Sequence, residues 1–210
     1  MANRTTDVRP TVARGRPREF DLDGALDDAL AIFARDGYEG ASVNEIAMAV
    51  GISKPSLYAA FGDKEALFLA ALERYQAKQA ARHRAVLDDE PDMHRALESF
   101  LLSIADAHTD PAGSSGCLIV SATSTCDAAA VPDAVRSRLK EALRAGEAAI
   151  ARRLTRAKAE GALPASAKVA VLSTYFNTVI AGLGVQAKGG ASRATLRAVA
   201  AAAMRALPTS

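Results

Sequence analysis

Tryptophan is absent from this 210-residue chain, and aromatic side chains of every kind make up only 5% of it. Alanine dominates the apolar set instead, which favours helices that approach one another closely over β-sheet. No stretch alternates apolar and polar residues long enough to make a strand. Cysteine is scarce. Cys117 and Cys126 are too few for a disulfide scaffold, so a reducing compartment, the cytoplasm, is expected. Only His83, His94 and His108 could serve as histidine bases, and the chain shows no Gly-rich phosphate loop and no Ser/His/Asp ordering of a nucleophile. Neither an enzyme nor a cofactor is expected. Cys-x-x-Cys and His-rich clusters are missing, which leaves no metal site to expect.

The N-terminus has no apolar run, so no secretory signal peptide is expected there. The longest uncharged run is Val169 to Ala187, 19 residues. Its length would suit a membrane span. Ser173, Thr174, Asn177, Thr178 and Gln186 interrupt it and no aromatic belt flanks it, so a buried helix at a subunit contact is expected rather than a span. Net charge is small, +2, and says little; its distribution says more. Residues 1–18 hold five arginines against one aspartate, a basic arm that includes Arg16 and Arg18. Residues 19–64 hold three cations against nine acids. A nucleic-acid surface in that segment would have to gather its cations on one face and turn its acids away.

Periodicity near 3.6 runs through nearly the whole chain and predicts an all-α fold of about nine helices. The first starts after Asp21, carries Leu22, Ala25, Leu26, Ala29, Leu30 and Phe33 inward, and stops at Gly37. Ser42 caps a short second helix closed by Gly51. A third covers about Lys54–Ala60, and Asp63 caps a long fourth with Leu67, Phe68, Ala71, Leu72 and Tyr75 in a stripe. A fifth shows Leu97, Phe100, Leu101, Ile104, Ala105 and His108. A sixth, whose β-branched content would also suit a strand, covers 117–126, the seventh begins at Pro132, the eighth spans about Ser166–Ala187, and the ninth follows Ser192. Three regions are expected: a basic arm over 1–18, a head over 19–64 and a larger helical unit over 65–210.

Residues 42–60 fit a helix-turn-helix on internal physics. Ala47 sits where two helices cross closely, Gly51 supplies positive φ at the turn, and Ile52 plugs the angle between them. Leu57 and Phe61 anchor the second helix inward; Ser53 caps it, and Pro55 in its first turn costs no hydrogen bond. Lys54, Ser56, Tyr58 and Ala59 must then face outward. That face suits a DNA major groove, with Ser42, Lys54, Tyr58 and Lys64 as phosphate contacts and Ser53, Ser56 and Ala59 towards base edges. Two short core helices with a solvated polar face would share the same pattern.

Three runs carry a resemblance: Phe-x-x-x-Gly-Tyr-x-x-x-Ser at 33–42, Ile-Ala-x-x-x-Gly-Ile-Ser at 46–53, and Leu-Tyr-x-x-Phe-x-x-Lys-Glu-x-Leu at 57–67. Together they resemble the DNA-binding domain of TetR-type (tetracycline-repressor-like) bacterial transcriptional regulators. The "GRPREFD" segment is similar to the basic arm of many members, whose arginines reach the backbone or the minor groove. Ala59-Ala60 stands where members often carry an aromatic residue or histidine after the tyrosine, which removes DNA contacts.

The resemblance implies a C-terminal helical domain that pairs two subunits and encloses a pocket for a small-molecule inducer. The candidate pocket residues are Phe100, Ile104, His108, Thr123, Leu139, Leu143, Tyr175, Phe176 and Asn177. With few charges among them, a small, mostly apolar inducer with a polar handle is expected. Residues 165–207 contain no acid and many small or apolar residues, which points independently to a homodimer seam. The expected partners are a double-stranded palindromic DNA operator, the inducer and a second copy, and the expected role is repression relieved by the inducer through the fourth helix, with Gly62 letting the head swing. The alternatives are a redox or metal sensor built on Cys117 and Cys126, and a helical dimer that does not bind DNA.

Overall fold

The computed structural model describes residues 21–110 and 131–208, and among these it contains eight α-helices and no strand. They are α1 (Leu22–Gly40), α2 (Val43–Val50), α3 (Lys54–Phe61), α4 (Lys64–Leu87), α5 (Met93–His108), α6 (Asp133–Ala159), α7 (Val169–Lys188) and α8 (Arg193–Ala203). A single 3-10 turn, Met204–Ala206, follows α8. The expected helix over 117–126 lies outside the described residues.

Short polar residues set the starts. The side chains of Asp21, Ser53, Asp63, Asp92 and Ser192 each accept a hydrogen bond from a backbone N–H in the first turn of the helix that follows. Ser42 stands at the α2 cap without such a bond. Gly37 does not end α1 outright. It takes φ +74° and kinks the chain, and helical turns resume to Gly40. Gly51 closes α2 at φ +75°, with its N–H on the Met48 carbonyl and the Ile52 N–H on the Ala47 carbonyl. That pairing is a Schellman motif, and it needs a residue tolerant of the left-handed region.

Two apolar cores divide the molecule. The first joins Phe33, Tyr38, Ile46, Leu57, Leu67, Phe68 and Leu72, and Val131, Val135 and Leu139 complete it from the start of α6. Phe68 meets the Phe33 and Tyr38 rings edge-on at 4.9 and 5.3 Å, a favoured arrangement. The second core joins Leu97, Phe100, Leu101, Ile150, Leu154, Phe176, Leu183 and Leu196 from α5 to α8. The head therefore draws core residues from α4 and α6, beyond residue 64. Leu22, expected inward, is 52% exposed because it sits at the first position of α1, before the buried stripe begins. α4 packs on α1, α5 and α6; α7 packs on α6, and α8 on α5. α7 is long and apolar enough to cross a membrane, and 28% of its most apolar stretch is buried inside the protein.

Candidate DNA-reading head and effector cavity

α2 and α3 form the head's outer edge, and α3 is held by one deep anchor. Leu57 is fully buried, whereas Ser53, Lys54, Pro55, Ser56, Tyr58, Ala59 and Ala60 are all exposed. With Leu57 pinned, the remaining residues of so short a helix have nowhere else to point. Ser53 Oγ accepts from the Ser56 N–H at 3.2 Å, and the two hydroxyls lie 2.8 Å apart in hydrogen-bond contact. Lys54 Nζ sits 5.6 Å from the centre of the Tyr58 ring, a cation–π contact on the outer face. Ser42 is exposed. Lys64 differs. Its ammonium donates to the Glu39 carbonyl at 3.1 Å and lies 5.0 Å from the Tyr38 ring centre, and burial pushes its pKa down.

The acids of the head are largely committed elsewhere. Asp23 and Asp27 receive Arg74 of α4 at 2.7 and 2.9 Å, and Asp27 also receives Lys78 at 2.7 Å. Arg35 bridges Asp36 and Glu45, each at 2.6 Å. Asp21 and Asp63 are helix caps. The ion pairs neutralise acids that would otherwise repel a polyanion, and Lys54 forms none with them.

Beyond the head, α4 to α7, with Arg193 of α8, line a partly open cavity of about 730 Å³, within the range of small-molecule sites. Gln76, Gln79 and His83 face it from α4, Phe100, Ile104 and His108 from α5, Leu143, Gly146 and Ala149 from α6, and Asn177 and Ile180 from α7. His83 meets Phe100 edge-on at 4.7 Å. Burial pushes the pKa of both His83 and His108 down, with Arg82 adding to the effect at His83, so both rings are neutral near pH 7.

The family model for bacterial regulatory proteins of the tetR family matches residues 25–71, and the tetracycline-repressor-like C-terminal domain matches residues 93–203. The chain belongs to the TetR family. The transcriptional repressor ComR of Escherichia coli K12 is 34% identical over 199 residues, covering 93% of both chains. The repressor BdcR of the same organism is 30% identical over 195 residues with the same coverage. A cysteine-substituted form of the TetR family regulator CifR, solved on a 26-base-pair operator duplex, superposes with a TM-score of 0.86. It is 38% identical and covers 92% of this chain and 100% of its own. The protein is thus a DNA-binding transcriptional regulator, not an enzyme.

Within this TetR-family fold the expected site residues divide. Lys54, Ser56, Tyr58 and Ala59 share the outer face of α3, and Ser53 caps it. The Ser53 and Ser56 hydroxyls are bonded to each other, so a base edge would have to compete with that bond. Lys64, expected as a phosphate contact, is half-buried and bound to a carbonyl. Arg16, Arg18 and Thr123 lie outside the described residues, as do Cys117 and Cys126. Phe100, Ile104, His108, Leu143 and Asn177 line the cavity. Leu139 does not: it sits four residues before Leu143, one helical turn nearer the head, and is sealed into the first core. Phe176 is wholly inside the second core, and Tyr175 is 39% exposed on the outer side of α7. Gln76, Gln79 and His83 of α4 also line the cavity and are not among the expected pocket residues, because the stripe expected on that helix ends at Tyr75. Their spacing of three and four residues, continuing from Tyr75, was the available signal.

Proposed function

We propose that the protein is a cytoplasmic repressor that binds a palindromic operator as a homodimer and leaves it when a small, mostly apolar molecule enters the cavity. α3 would read the major groove, with Lys54, Tyr58 and Ser42 on phosphates and Ser53, Ser56 and Ala59 towards base edges, while Arg16 and Arg18 of the arm add backbone or minor-groove contacts. The observation that carries the reading is the double membership of α4. Its first half supplies Leu67, Phe68 and Leu72 to the head core, and its second half supplies Gln76, Gln79 and His83 to the cavity wall. A molecule that fits one cavity shape better than another must therefore act on the helix that carries the head. A coupling of ~1–3 kcal/mol is enough to change operator occupancy severalfold or more.

Dimerisation is supported by the outer face of α7. Val171, Tyr175, Thr178, Gly182 and Val185 recur at alternating spacings of four and three, and all are exposed. Val171 and Val185 are 61% and 56% exposed, and Val199 on α8 is 46% exposed. Such an uncharged stripe suits a four-helix seam with a second copy. Two heads so joined would meet half-sites about one helical turn apart, ~34 Å. Sedimentation of the protein with a palindromic fragment from upstream of its own gene tests this. Two protomers per fragment are expected; one protomer, or no complex, rules the reading out.

A further inference from the structure

The cavity holds polar atoms that the protein itself leaves without partners. Among the described residues, Gln76 Oε1 and His108 Nε2 are buried and make no hydrogen bond, and both side chains line the cavity. His108 is 7% exposed. Leaving such an atom unpaired costs stability, and native proteins keep few of them. Asp106, which also lines the cavity, has no hydrogen bond to Oδ1, but that oxygen lies 3.8 Å from Arg193 Nε of α8. Its carboxylate is committed to cations of α8, since the other oxygen accepts from Arg197 at 2.6 Å.

Gln76 and His108 belong to one end of the cavity. α4 and α5 are packed on each other and joined by the short segment 88–92, so they run antiparallel. The His83–Phe100 contact fixes their facing sides. At 1.5 Å per residue, Gln76 lies ~17 Å back from Leu87 and His108 ~23 Å on from Met93, so the two differ in level by about one helical turn. Both are at the head-side end. Phe100, Ile104, Leu143 and Ile180 give the wall its apolar surface, with Gln79, Ser103 and Asn177 among them, and the lining arginines Arg82, Arg84, Arg152 and Arg193 are exposed to solvent.

We propose that the cavity takes an uncharged, largely apolar molecule with a hydroxyl or primary amide, whose polar group bonds to both Gln76 and His108. The inference rests on the cavity being the effector site. With His108 Nε2 protonated, a hydroxyl accepts from the imidazole and donates to Gln76 Oε1. With Nε2 bare, the two N–H groups of a primary amide donate to both atoms, and a hydroxyl serves once the Gln76 amide is flipped to donate to it. A carboxylate or ammonium held there would sit between two neutral groups, and the nearest charges of the wall, Arg193 and Asp106, are already paired with each other. Docking at this end places the handle against α4 one residue beyond Tyr75, which packs on the head core.

A panel of ring-plus-short-chain molecules, each made as alcohol, primary amide, carboxylate and ammonium, tests the class by ligand-detected NMR on the full chain. Alcohols and amides are expected to bind, and to weaken about tenfold in Gln76→Met and in His108→Leu, with thermal unfolding confirming that each variant folds. Should His108→Leu not fold, Gln76→Met decides alone. Tighter binding of the carboxylate or ammonium members overturns the proposed class and leaves the cavity reading standing. Alcohol binding unchanged in the folded variants overturns the docking. Failure of every member to bind overturns both the class and the cavity reading.

Discussion

At the scale of single residues, the head shows why one cation is not equivalent to another. Lys54 stands on the outer face of α3 with only the Tyr58 ring beside it, whereas Lys64 is tied to the Glu39 carbonyl. Lys54→Ala is expected to weaken binding uniformly across DNA sequences and to reduce the slope of log affinity against log salt by about 1. Lys64→Ala is expected to lower the melting temperature as well, because it removes a hydrogen bond within the head. The two cavity histidines make a second residue-scale prediction. Their folded pKa values are depressed, so below an unfolded value near 6.5 the unfolded chain binds more protons than the folded one. Stability is then complete above that pH and is lost as pH falls below it, by up to ~1.4 kcal/mol per pH unit for each ring. Thermal unfolding from pH 7.5 to 5.5 should show the loss, and His83→Gln should flatten it. The outward face of α3 was legible in the sequence because Leu57 and Phe61, one turn apart, anchor the same side of so short a helix and turn its other residues outward. The fate of Lys64 was not. A long flexible side chain can turn towards solvent or fold, and the Glu39 carbonyl that claims it lies 25 residues away.

At the scale of elements, caps and turns were the most readable features. Asp21, Ser53, Asp63 and Ser192 cap helices through bonds to neighbours two or three residues on, an interaction local enough for sequence to specify. Gly51 is the sharpest case. A Cβ there would meet nothing within 4 Å, so its only obstacle is φ +75°. Gly51→Ala should cost about 1–2 kcal/mol from the left-handed backbone alone, measured by denaturant unfolding. Tertiary partition was the unreadable part. Leu139 and Leu143 share one apolar stripe and look equivalent in sequence, yet one seals the head core and the other lines the cavity. The boundary between the two cores crosses α6 between them, and nothing local marks it. The same limit hid the cavity face of α4, whose apolar stripe gives way to glutamines and a histidine where the helix passes from one core to the other.

At the scale of the whole molecule, the charge pattern and the helix order explain each other. Nine acids in residues 19–64 looked hostile to DNA, but Asp23 and Asp27 belong to Arg74 and Lys78 of α4, and Asp36 and Glu45 belong to Arg35. Those pairs leave the outer face of α3 with Lys54 and no acid. The uncharged stripe of α7 gives the molecular-scale prediction: Val185→Glu should shift the sedimenting species from dimer to monomer and lower operator affinity at least tenfold, since each head would then bind alone. The most direct measurement of the central claim is fluorescence anisotropy on the palindromic operator across a salt series, comparing the native chain with the Lys54→Ala, Ser56→Ala, Tyr58→Ala triple variant. Loss of sequence-specific affinity and a shallower salt slope, with the fold intact by circular dichroism, is the result predicted. Unchanged affinity and slope in a folded triple variant would show that α3 does not read the DNA.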